Sequence, residues 1–495
     1  MDYSSKNFTH NLWIAADKLR GNMDPSEYKQ VFLGLIFLKY ISEKFQRKYY
    51  ELKAEGYGFE DIIDEYTSCG VYYIPAEARW DTIMAHCDSP ELGSHIDSVI
   101  VRIAQVNPDL KGVLPQYFSR SELDTTRLSD IVKLFDETID TAQNSDMLSV
   151  AYEYCLMKFA EQEGRRAGEF YTPQSIVKTL TQSVDIAGGR VYDPCCGSGG
   201  MLVQAAKEMV KRGGSKRDIS FYGQESNPTT WKMCLMNLAV HGIEANVGPY
   251  NADAFLQDIH AGLKADYILA SPPFNMSEWG AERLLGDARW QFGMPPAGNA
   301  NFAWLQHMIY HLSQTGRMGV VLSNGTLTSQ VGSEGEIRKK IICADLVECI
   351  VSMPGKLFYN TAIPVSIWFI NKAKAPHQRG KVLFIDAGGF PTHGAKELTP
   401  EQIRKISGQV CAYRSNMDYK DEPGFCVVAD TERIQENDFT LVPSRYVGIS
   451  ESVLSLDRCE SSLASLTEEL KNILHENQRL GKELKKKLEV LGYDL

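Results

Sequence analysis

Short apolar runs alternate with helical patterns through the middle of the chain, from about residue 147 onward. The runs read GRVYDPCC, DISFYGQE, ADYILASPP, RMGVVLSNG, LVECIVSMP, VSIWFINK and KVLFIDAG. Apolar runs joined by helices favour a mostly parallel sheet that the helices cover. The pattern therefore predicts an α/β fold, a doubly wound Rossmann-like domain over residues 147–398.

The segment before this domain, residues 1–146, is predicted to be a helical domain. In NMDPSEYKQVFLGLIFLKYISEKF, Asp24 is placed to cap a helix, Pro25 suits its first position and Glu27 completes a capping box. Apolar residues then recur at helical spacing: Tyr28, Val31, Phe32, Leu35, Leu38, Ile41 and Phe45. We expect an amphipathic helix that packs in the core of this domain, with binding of a partner as the alternative role of its apolar face.

The last segment, residues 399–495, is more polar and is predicted to end in a long helix. Its apolar residues follow alternating steps of three and four: Leu463, Leu466, Leu470, Ile473, Leu480, Leu484 and Leu491. Asn477 lies on the same stripe, as register-setting polar residues do in coiled coils. Two interpretations remain open, a helix packed on the protein's own body and a helix that binds a partner subunit, and we favour the second.

Composition narrows the class of protein. The 495 residues carry a formal net charge of −11, which argues against a chain that wraps a long duplex by itself. No apolar run approaches the roughly 20 residues that span a bilayer, and the first residues lack the layout of a signal peptide. The 11 cysteines show no metal-type spacing. We therefore expect a cytoplasmic protein with reduced thiols, no membrane segment and no metal.

A glycine-rich turn follows the first apolar run. In VYDPCCGSGGM the strand ends at Asp193, and Gly197, Ser198 and Gly199 precede a helix. Glycine lets the backbone turn sharply and approach a ligand. The chain has no G-x-x-x-x-G-K-[ST] motif, so this turn is not a phosphate-binding P-loop. An acid beside the turn suits a cofactor with a cationic amine better than one with a pyrophosphate.

Acidic residues end later segments of the predicted sheet. Glu225 follows the second strand, where a Rossmann-like fold accepts hydrogen bonds from ribose hydroxyls. Capping of the next helix is the alternative role for this carboxylate. In YNADAFLQD, Asp253 and Phe255 are placed to border an adenine ring.

The stretch YILASPPFNMSEWG ends an apolar strand with Ser271, Pro272, Pro273 and Phe274. Proline lacks the amide donor that a sheet ladder needs, so the two prolines stop the strand and hold the backbone extended. In open α/β sheets ligands bind at the carboxyl ends of the strands. The glycine turn, the acid and the proline pair occur in that order on successive strand ends, and together they predict a cofactor pocket beside a rigid polar and aromatic corner.

DPCCGSGG followed by SPPF resembles the amino-methyltransferases that use S-adenosylmethionine, whose catalytic tetrapeptide is Asn, Asp or Ser, then Pro-Pro, then Tyr or Phe. RRAGEFYTPQSIV, GNANFAWLQHMIYHL, VVLSNGTL and LFYNTAIPVSIWFINK are similar to the modification subunit of type I restriction-modification systems. This resemblance covers nearly the whole chain and is weakest toward its C-terminus. It implies a DNA methyltransferase domain of the Rossmann-like type that uses S-adenosylmethionine.

The resemblance also assigns roles to residues. The methionine end of the cofactor would be held by Asp193 and by the GEFYTP stretch, which contributes Glu169, Phe170, Tyr171, Thr172 and Pro173. Glu225 would bind the ribose hydroxyls, and Asp253 and Phe255 would flank the adenine. Ser271, Pro272, Pro273 and Phe274 would handle a flipped target base. The family often has Asp in place of Asn301, in NANFAW, which leaves the role of Asn301 open.

Ser271 bears on which base is methylated. Adenine-modifying members usually carry Asn or Asp at this position, whereas Ser is typical of enzymes that modify the N4 amine of cytosine. The family as a whole favours adenine N6, and the local residue favours cytosine N4. An inactive variant is the third reading of this residue. Two further functions stay open, a protein-glutamine methyltransferase and a non-catalytic scaffold.

The resemblance implies partners that supply what an acidic chain lacks. Family members act on double-stranded DNA with a separate DNA-specificity subunit that two modification chains flank. A restriction subunit performs translocation and endonuclease cleavage. We therefore expect this chain to bind a specificity subunit, a restriction subunit and a second copy of itself in one complex.

Overall fold

The computed structural model of the chain describes residues 25–120, 122–138, 145–163, 172–358, 363–391 and 397–449, with isolated residues nearer both termini. Its centre is a nine-stranded sheet with the order β3-β2-β1-β4-β5-β7-β6-β8-β9. The strands are β1 (Gly189–Asp193), β2 (Ile219–Gly223), β3 (Ala245–Asn246), β4 (Ala265–Ala270), β5 (Leu312–Ser323), β6 (Val347–Ser352), β7 (Val365–Asn371), β8 (Lys381–Asp386) and β9 (Cys426–Asp430).

The seven apolar runs of the sequence each contain one of these strands, and the α/β fold is confirmed. The strands β3, β2, β1, β4 and β5 are parallel neighbours, as are β6 and β8. β7 runs antiparallel between β5 and β6, and β9 runs antiparallel beside β8. The sheet is therefore parallel from β3 to β5 and mixed from β5 to β9. The sequence analysis missed β3 and β9.

The described helices longer than four residues are α1 (Pro25–Glu55), α2 (Ile63–Thr67), α3 (Trp80–Ala85), α4 (Leu92–Val106), α5 (Thr125–Thr138), α6 (Ser145–Glu163), α7 (Gln174–Val184), α8 (Gly200–Lys211), α9 (Pro228–Val240), α10 (Asn301–His311), α11 (Glu334–Cys343), α12 (Pro400–Ser415) and α13 (Thr431–Glu436). None is long and apolar enough to cross a membrane.

The sheet separates two apolar cores. Along β4, Tyr267 and Leu269 pack with α7, α8 and α12, whereas Ile268 and Ala270 pack with α10 and α11 on the other face. Successive strand residues point to opposite faces, so a strand buried on both sides must be apolar at every position. This double coverage explains why the strands read as continuous apolar runs.

Helix α1 differs from the amphipathic helix that the sequence predicts. From Tyr28 to Ser42 it is buried on all sides, because the surrounding helical region encloses it. Lys39, 3% exposed, is accommodated by an ion pair with Glu43 at 2.7 Å and by the ring of Trp80, whose centre lies 4.6 Å from the Lys39 Nζ. A buried cation needs such partners, since an unpaired charge is costly away from water.

The N-terminal helices dock on α9. Met233, Met236 and Val240 of α9 belong to the apolar core of the helical region. The Tyr152 hydroxyl donates a hydrogen bond to the Met233 carbonyl at 3.2 Å. Because α9 begins just after the carboxyl end of β2, this docking brings α1 and α6 to the edge of the sheet where a ligand is expected.

The sheet continues past residue 398, where the sequence analysis ended the catalytic domain. Helix α12 packs on α7, and β9 extends the sheet beside β8. The last edge strand thus lies beyond the predicted domain boundary at residue 398, within a polar segment that the sequence analysis took as helical. Most of the predicted terminal helix lies outside the described residues. Those that are described there are exposed, Leu470 by 57% and Leu480 by 50%.

Arg414 of α12 should be important for the stability of this last part of the domain. Its Nη2 lies 2.6 Å from Oε2 of Glu348, which is 1% exposed in β6. We expect Arg414→Met to lower the free energy of unfolding by about 3 to 5 kcal/mol, because it leaves a buried carboxylate without its cation. Urea titration measures this loss.

The double variant Arg414→Met with Glu348→Gln serves as the control, since it removes the stranded charge and should recover part of the loss. If the single and double variants unfold at the same urea concentration, the ion pair does not explain how α12 is held.

Candidate active site

A cavity of about 370 Å³ opens at the carboxyl ends of β1, β2 and β4. Three groups of residues form its walls. The β1–α8 turn contributes Pro194, Cys195, Gly197 and Ser198, and the segments after β2 contribute Glu225, Ser226, Asn227, Asp253 and Ala254. The segment after β4 contributes Ser271, Pro273 and Met276. The strand ends that the sequence analysis connected therefore share one cavity.

The β1–α8 turn depends on its glycines. Gly197 and Gly199 have φ values of 55° and 80°, a left-handed conformation that favours glycine. A Cβ on Gly199 would lie 2.9 Å from the sulfur of Cys234, so this position packs too closely on α9 to take a side chain without a shift. The turn thus exposes backbone to the cavity at Gly197 and Ser198.

Asp193 lies behind this turn, 2% exposed, and is not part of the cavity wall itself. Its Oδ1 accepts a hydrogen bond from the Cys195 amide at 3.1 Å. Burial raises the pKa of Asp193 to about 7, and the nearby Glu225 carboxylate adds to the increase, while the bonds from Cys195 oppose it. A cationic group bound in the cavity would favour the ionised form.

Glu225 connects the cavity wall to two backbone segments. Its Oε2 accepts a hydrogen bond from the Gly197 amide at 3.1 Å, and its Oε1 accepts one from the Asn227 amide at 2.7 Å. The side chain of Asn227 caps α9, accepting from Thr229 and Thr230. Capping of the helix is therefore done by Asn227, and Glu225 faces the cavity, where an acceptor for hydroxyl groups is expected.

Asp253 lines the cavity, but Phe255 does not. Asp253 Oδ1 accepts hydrogen bonds from the amides of Phe255 and Leu256, at 2.7 and 3.1 Å, which shapes the loop. Phe255 is 2% exposed and packs with Trp279 and Trp304 in an aromatic cluster. The Phe255 ring turns into the core and Ala254 occupies the wall, so contact of Phe255 with a ligand stays a prediction.

Buried side chains hold the loop that carries Asp253. Arg289 donates hydrogen bonds to the carbonyls of Ala254 and Phe255, at 2.9 and 2.7 Å. Behind it, Asp258, His307 and His311 lie close enough together to hold a metal ion. Arg289 Nη1, 3.1 Å from His307 Nδ1, can only donate. The fixed positive charge beside His307 disfavours a second cation, so we interpret this cluster as support for the loop.

The SPPF corner exposes two of its four residues to the cavity. Ser271 and Pro273 form part of the wall, whereas Pro272 and Phe274 are buried beside it. The Ser271 Oγ is buried and has no hydrogen-bond partner among the described residues. The Phe274 ring, 7% exposed, packs edge-on against Phe358 with ring centres 5.4 Å apart. The structure therefore does not present Phe274 as an open stacking face.

Asn301 has a structural role that the sequence left open. It forms a reciprocal pair with Asn275, the residue after SPPF: the Asn275 amide donates to Asn301 Oδ1 at 3.0 Å, and Asn301 Nδ2 donates to Asn275 Oδ1 at 2.8 Å. Ser323, at the end of β5, donates to the same Asn275 oxygen at 3.2 Å. Asn275 has a φ of 56°. This network fixes the backbone on leaving the SPPF corner.

The GEFYTP stretch is only partly described. Glu169, Phe170 and Tyr171 lie outside the described residues. Thr172 and Pro173 precede α7, and the Pro173 carbonyl accepts hydrogen bonds from the amides of Ile176 and Val177, at 3.0 and 3.1 Å. Among the described residues this stretch starts a helix and does not line the cavity.

The sequence analysis missed several residues of the wall. Lys29 of α1 and Leu156, Phe159 and Ala160 of α6 line the cavity, so the N-terminal helices complete it. Lys29, 4% exposed, is the single cation among the described lining residues. Met276 and Trp304 also contribute. Lys29 had a detectable signal, since a lysine within an apolar helical run is unusual, but only the docking on α9 shows what it faces.

Two family models match the chain. The N-6 DNA methylase model matches residues 143–453, and the model of the HsdM N-terminal domain matches residues 8–135. The first covers more than half of the chain.

Curated relatives and solved structures agree with these matches. The methylase subunit of the type I restriction enzyme HindI of Haemophilus influenzae is 42% identical over 446 residues, which are 85% of this chain and 100% of that protein. The MjaIX methylase subunit of Methanocaldococcus jannaschii is 38% identical over 518 residues, 98% of this chain and 92% of that protein.

Among solved structures, the methyltransferase subunit of a type I restriction-modification system from Streptococcus thermophilus is similar with a TM-score of 0.75 and 28% identity. That match covers 90% of this chain and 99% of the other. A modification subunit from Vibrio vulnificus shares the fold, with a TM-score of 0.63 and 19% identity over 91% of this chain and 98% of the other.

The raised pKa of Asp193 predicts a pH-dependent cost in stability. The pKa is about 7 in the folded chain and 3.8 ordinarily, so the neutral carboxyl favours folding at low pH and this contribution is lost as the pH rises toward 7. The Asp193→Asn variant has no such carboxyl group. We therefore expect its free energy of unfolding, relative to that of the native protein, to increase by about 2 to 3 kcal/mol when the pH is raised from 5 to 8.

Urea titrations of both proteins at four pH values in this interval test the expectation. Parallel stability curves for the two proteins would show that Asp193 ionises in the folded chain as it does in the unfolded one.

Proposed function

The chain belongs to the N-6 DNA methylase family and, within it, to the methylase subunits of type I restriction enzymes. From this premise we propose that the Ser271 Oγ and the Pro272 carbonyl are the two acceptors that hold the amino group of the target base during methyl transfer. The enzyme is a site-specific DNA methyltransferase, and S-adenosylmethionine is its methyl donor.

The chemistry requires acceptors at this place. The lone pair of an exocyclic amine is delocalised into the ring, so the nitrogen is a poor nucleophile. Two acceptors that bind its hydrogens localise the pair on nitrogen and stabilise the positive charge that develops there. The prolines hold both acceptors rigidly, so little reorganisation is needed during the reaction. The base must flip out of the duplex to reach them.

The observation that carries this proposal is the buried Ser271 hydroxyl, for which the described residues supply no hydrogen-bond partner. Buried polar groups are nearly always hydrogen-bonded, and a catalytic role is one of the reasons for an exception. Ser271 lies at the end of β4 in the same wall as Gly197, Glu225 and Asp253. The network of Asn275, Asn301 and Ser323 fixes the backbone just beyond it.

The cavity suits S-adenosylmethionine, which supplies an electrophilic methyl group on a sulfonium when bound. We propose that Glu225 accepts the ribose hydroxyls and that Asp253 accepts the adenine amine. The β1–α8 turn would lie against the amino-acid part, and the carboxylate of Asp193 would stabilise its ammonium through the turn. The GEFYTP residues, Glu169 through Pro173, keep their proposed role at the methionine end as a prediction.

Adenine N6 is the methylated position in this family, and the alternatives of the sequence analysis are not favoured. Cytosine N4 rested on Ser271 alone, since serine is typical of enzymes with that product. The proposed arrangement needs an oxygen acceptor at this position, and a serine hydroxyl supplies one as an asparagine or aspartate side chain does. Protein-glutamine methylation and a non-catalytic scaffold find no support in the relatives.

We further propose how the chain takes its place in the type I complex. A specificity subunit would read the DNA sequence and provide most of the contacts to the duplex, which fits a chain with a net charge of −11. Two copies of this chain would flank it, and a restriction subunit would join them, in the cytoplasm. Residues 399–495 would end in the helix that binds the specificity subunit, with exposed leucines at 470, 474 and 480.

Substitution of Ser271 tests the proposed acceptor. We expect Ser271→Ala to lower kcat roughly 100-fold, as removal of one preorganised hydrogen-bonding group does elsewhere, with cofactor affinity unchanged. The assay combines this chain with its specificity subunit and quantifies methylated nucleosides by mass spectrometry, which should show N6-methyladenine.

Ser220→Ala, at an exposed position of β2, is the matched control and should keep native activity. A Ser271→Ala enzyme with native kcat would refute the proposed acceptor, and N4-methylcytosine as the product would contradict the proposed target.

Removal of the C-terminal helix tests the proposed contact with the specificity subunit. A chain that ends at residue 461 should not co-purify with the specificity subunit but should bind S-adenosylmethionine with native affinity, because the cavity lies far earlier in the chain. Size-exclusion chromatography with light scattering measures assembly, and calorimetry measures cofactor binding. Assembly of the shortened chain would assign the contact to another surface.

A further inference from the structure

Trp304 lines the cavity and carries a buried indole N–H that has no acceptor among the described residues. The residue is 5% exposed and lies in the first turn of α10, and its Nε1 has no hydrogen-bond partner among the described residues. Its neighbours in the same core differ: Trp279 Nε1 donates to the Pro296 carbonyl at 3.2 Å, and Trp290 Nε1 donates to the Leu284 carbonyl at 2.9 Å. An indole N–H can only donate, so Trp304 needs an acceptor that none of the described residues supplies.

The indole is held in place by the loop that carries Asp253. The rings of Trp304 and Phe255 pack with centres 4.2 Å apart, and Arg289 donates to the carbonyl of Phe255 at 2.7 Å. A fixed donor of this kind is preorganised, since neither the ring nor the loop must be ordered when a ligand binds. The cavity wall therefore carries an acceptor, the Asp253 carboxylate, and a donor, the Trp304 N–H.

An acceptor and a donor in one wall match the edge of an adenine ring. Adenine carries an amine, which donates, between N1 and N7, which accept. If Asp253 accepts from the amine, the complementary group is a donor directed at the ring nitrogen beside it. Among the bases that carry an exocyclic amine, only adenine has an accepting ring nitrogen on each side of it, N1 and N7.

We propose that the Trp304 N–H donates to N1 or N7 of an adenine bound in the cavity, that of the cofactor, and thereby selects for it. This inference rests on the proposed assignment of the cavity to S-adenosylmethionine. The contact between Trp304 and Phe255, two residues after Asp253, favours the cofactor over the other adenine of the reaction, the flipped target base.

Ring-nitrogen replacement tests the proposal on the native chain. Calorimetry would compare S-adenosylhomocysteine with its 1-deaza and 7-deaza analogues, in which one ring nitrogen becomes C–H. We expect one analogue to bind about 10-fold more weakly, because it leaves the indole donor unpaired. Equal affinities for all three ligands would overturn the assignment to the cofactor, and failure of the native chain to bind S-adenosylhomocysteine would count against the proposed function itself.

Variants locate the effect. Trp304→Phe keeps an aromatic ring against Phe255 but lacks the N–H, so it should bind S-adenosylhomocysteine about 10-fold more weakly and no longer discriminate against the deaza analogue. Trp279→Phe removes an N–H of the same cluster that already has an acceptor, and it should keep the discrimination. Discrimination that persists in Trp304→Phe would refute the proposal.

A parallel arm separates the two adenines. The complex with the specificity subunit would methylate duplexes with adenine, 1-deazaadenine or 7-deazaadenine at the target position. Discrimination in the cofactor arm that Trp304→Phe abolishes confirms the proposal. Discrimination that Trp304→Phe abolishes only in the DNA arm assigns the N–H to the target base and overturns the cofactor assignment.

Discussion

At the carboxyl edge of the sheet the strand ladder stops, so the polar backbone and side-chain groups there need other hydrogen-bond partners. The whole site depends on which partners they have. Asp193 and Glu225 each accept a hydrogen bond from a backbone amide of the β1–α8 turn, Asp193 from Cys195 and Glu225 from Gly197. Asp253 does the same for the loop that follows it. Glu225 and Asp253 also line the cavity, where a ligand can reach them, whereas Asp193 lies buried behind the turn. The Ser271 Oγ and the Trp304 Nε1 have no hydrogen-bond partner in the part of the chain that the structure describes.

The N-terminal helices complete the wall of the cavity at this edge. They bury Met233, Met236 and Val240 of α9, and this apolar contact brings Lys29 and Phe159 over the site. The acids of the wall suit the cationic parts of S-adenosylmethionine, and Lys29 is the one basic residue among the described lining residues. The helical region therefore supplies part of the wall of the cavity.

Sequence reasoning predicted the seven long strands and the order of the motifs, because strands buried on two faces are recognisable from their continuous apolar runs. It missed β3, which has two residues, and β9, an edge strand within a polar segment. It placed Phe255 and Phe274 against ligands. The sequence does not show whether an aromatic ring beside a motif faces a cavity or the core. In the structure, Phe255 packs against Trp304 and Phe274 packs against Phe358, and both rings face inward.

The amino-acid sequence by itself determined the α/β architecture, the family and the residue types at the strand ends, since these follow from local patterns of apolar, glycine and proline residues. Only the tertiary structure decided which of those residues share a cavity and which helices cover it. Hydrogen-bond satisfaction is also a property of the folded chain alone. Whether the hydroxyl of Ser271 or the indole of Trp304 has a partner depends on residues far away in the sequence, and those two unfilled bonds carry the functional conclusions.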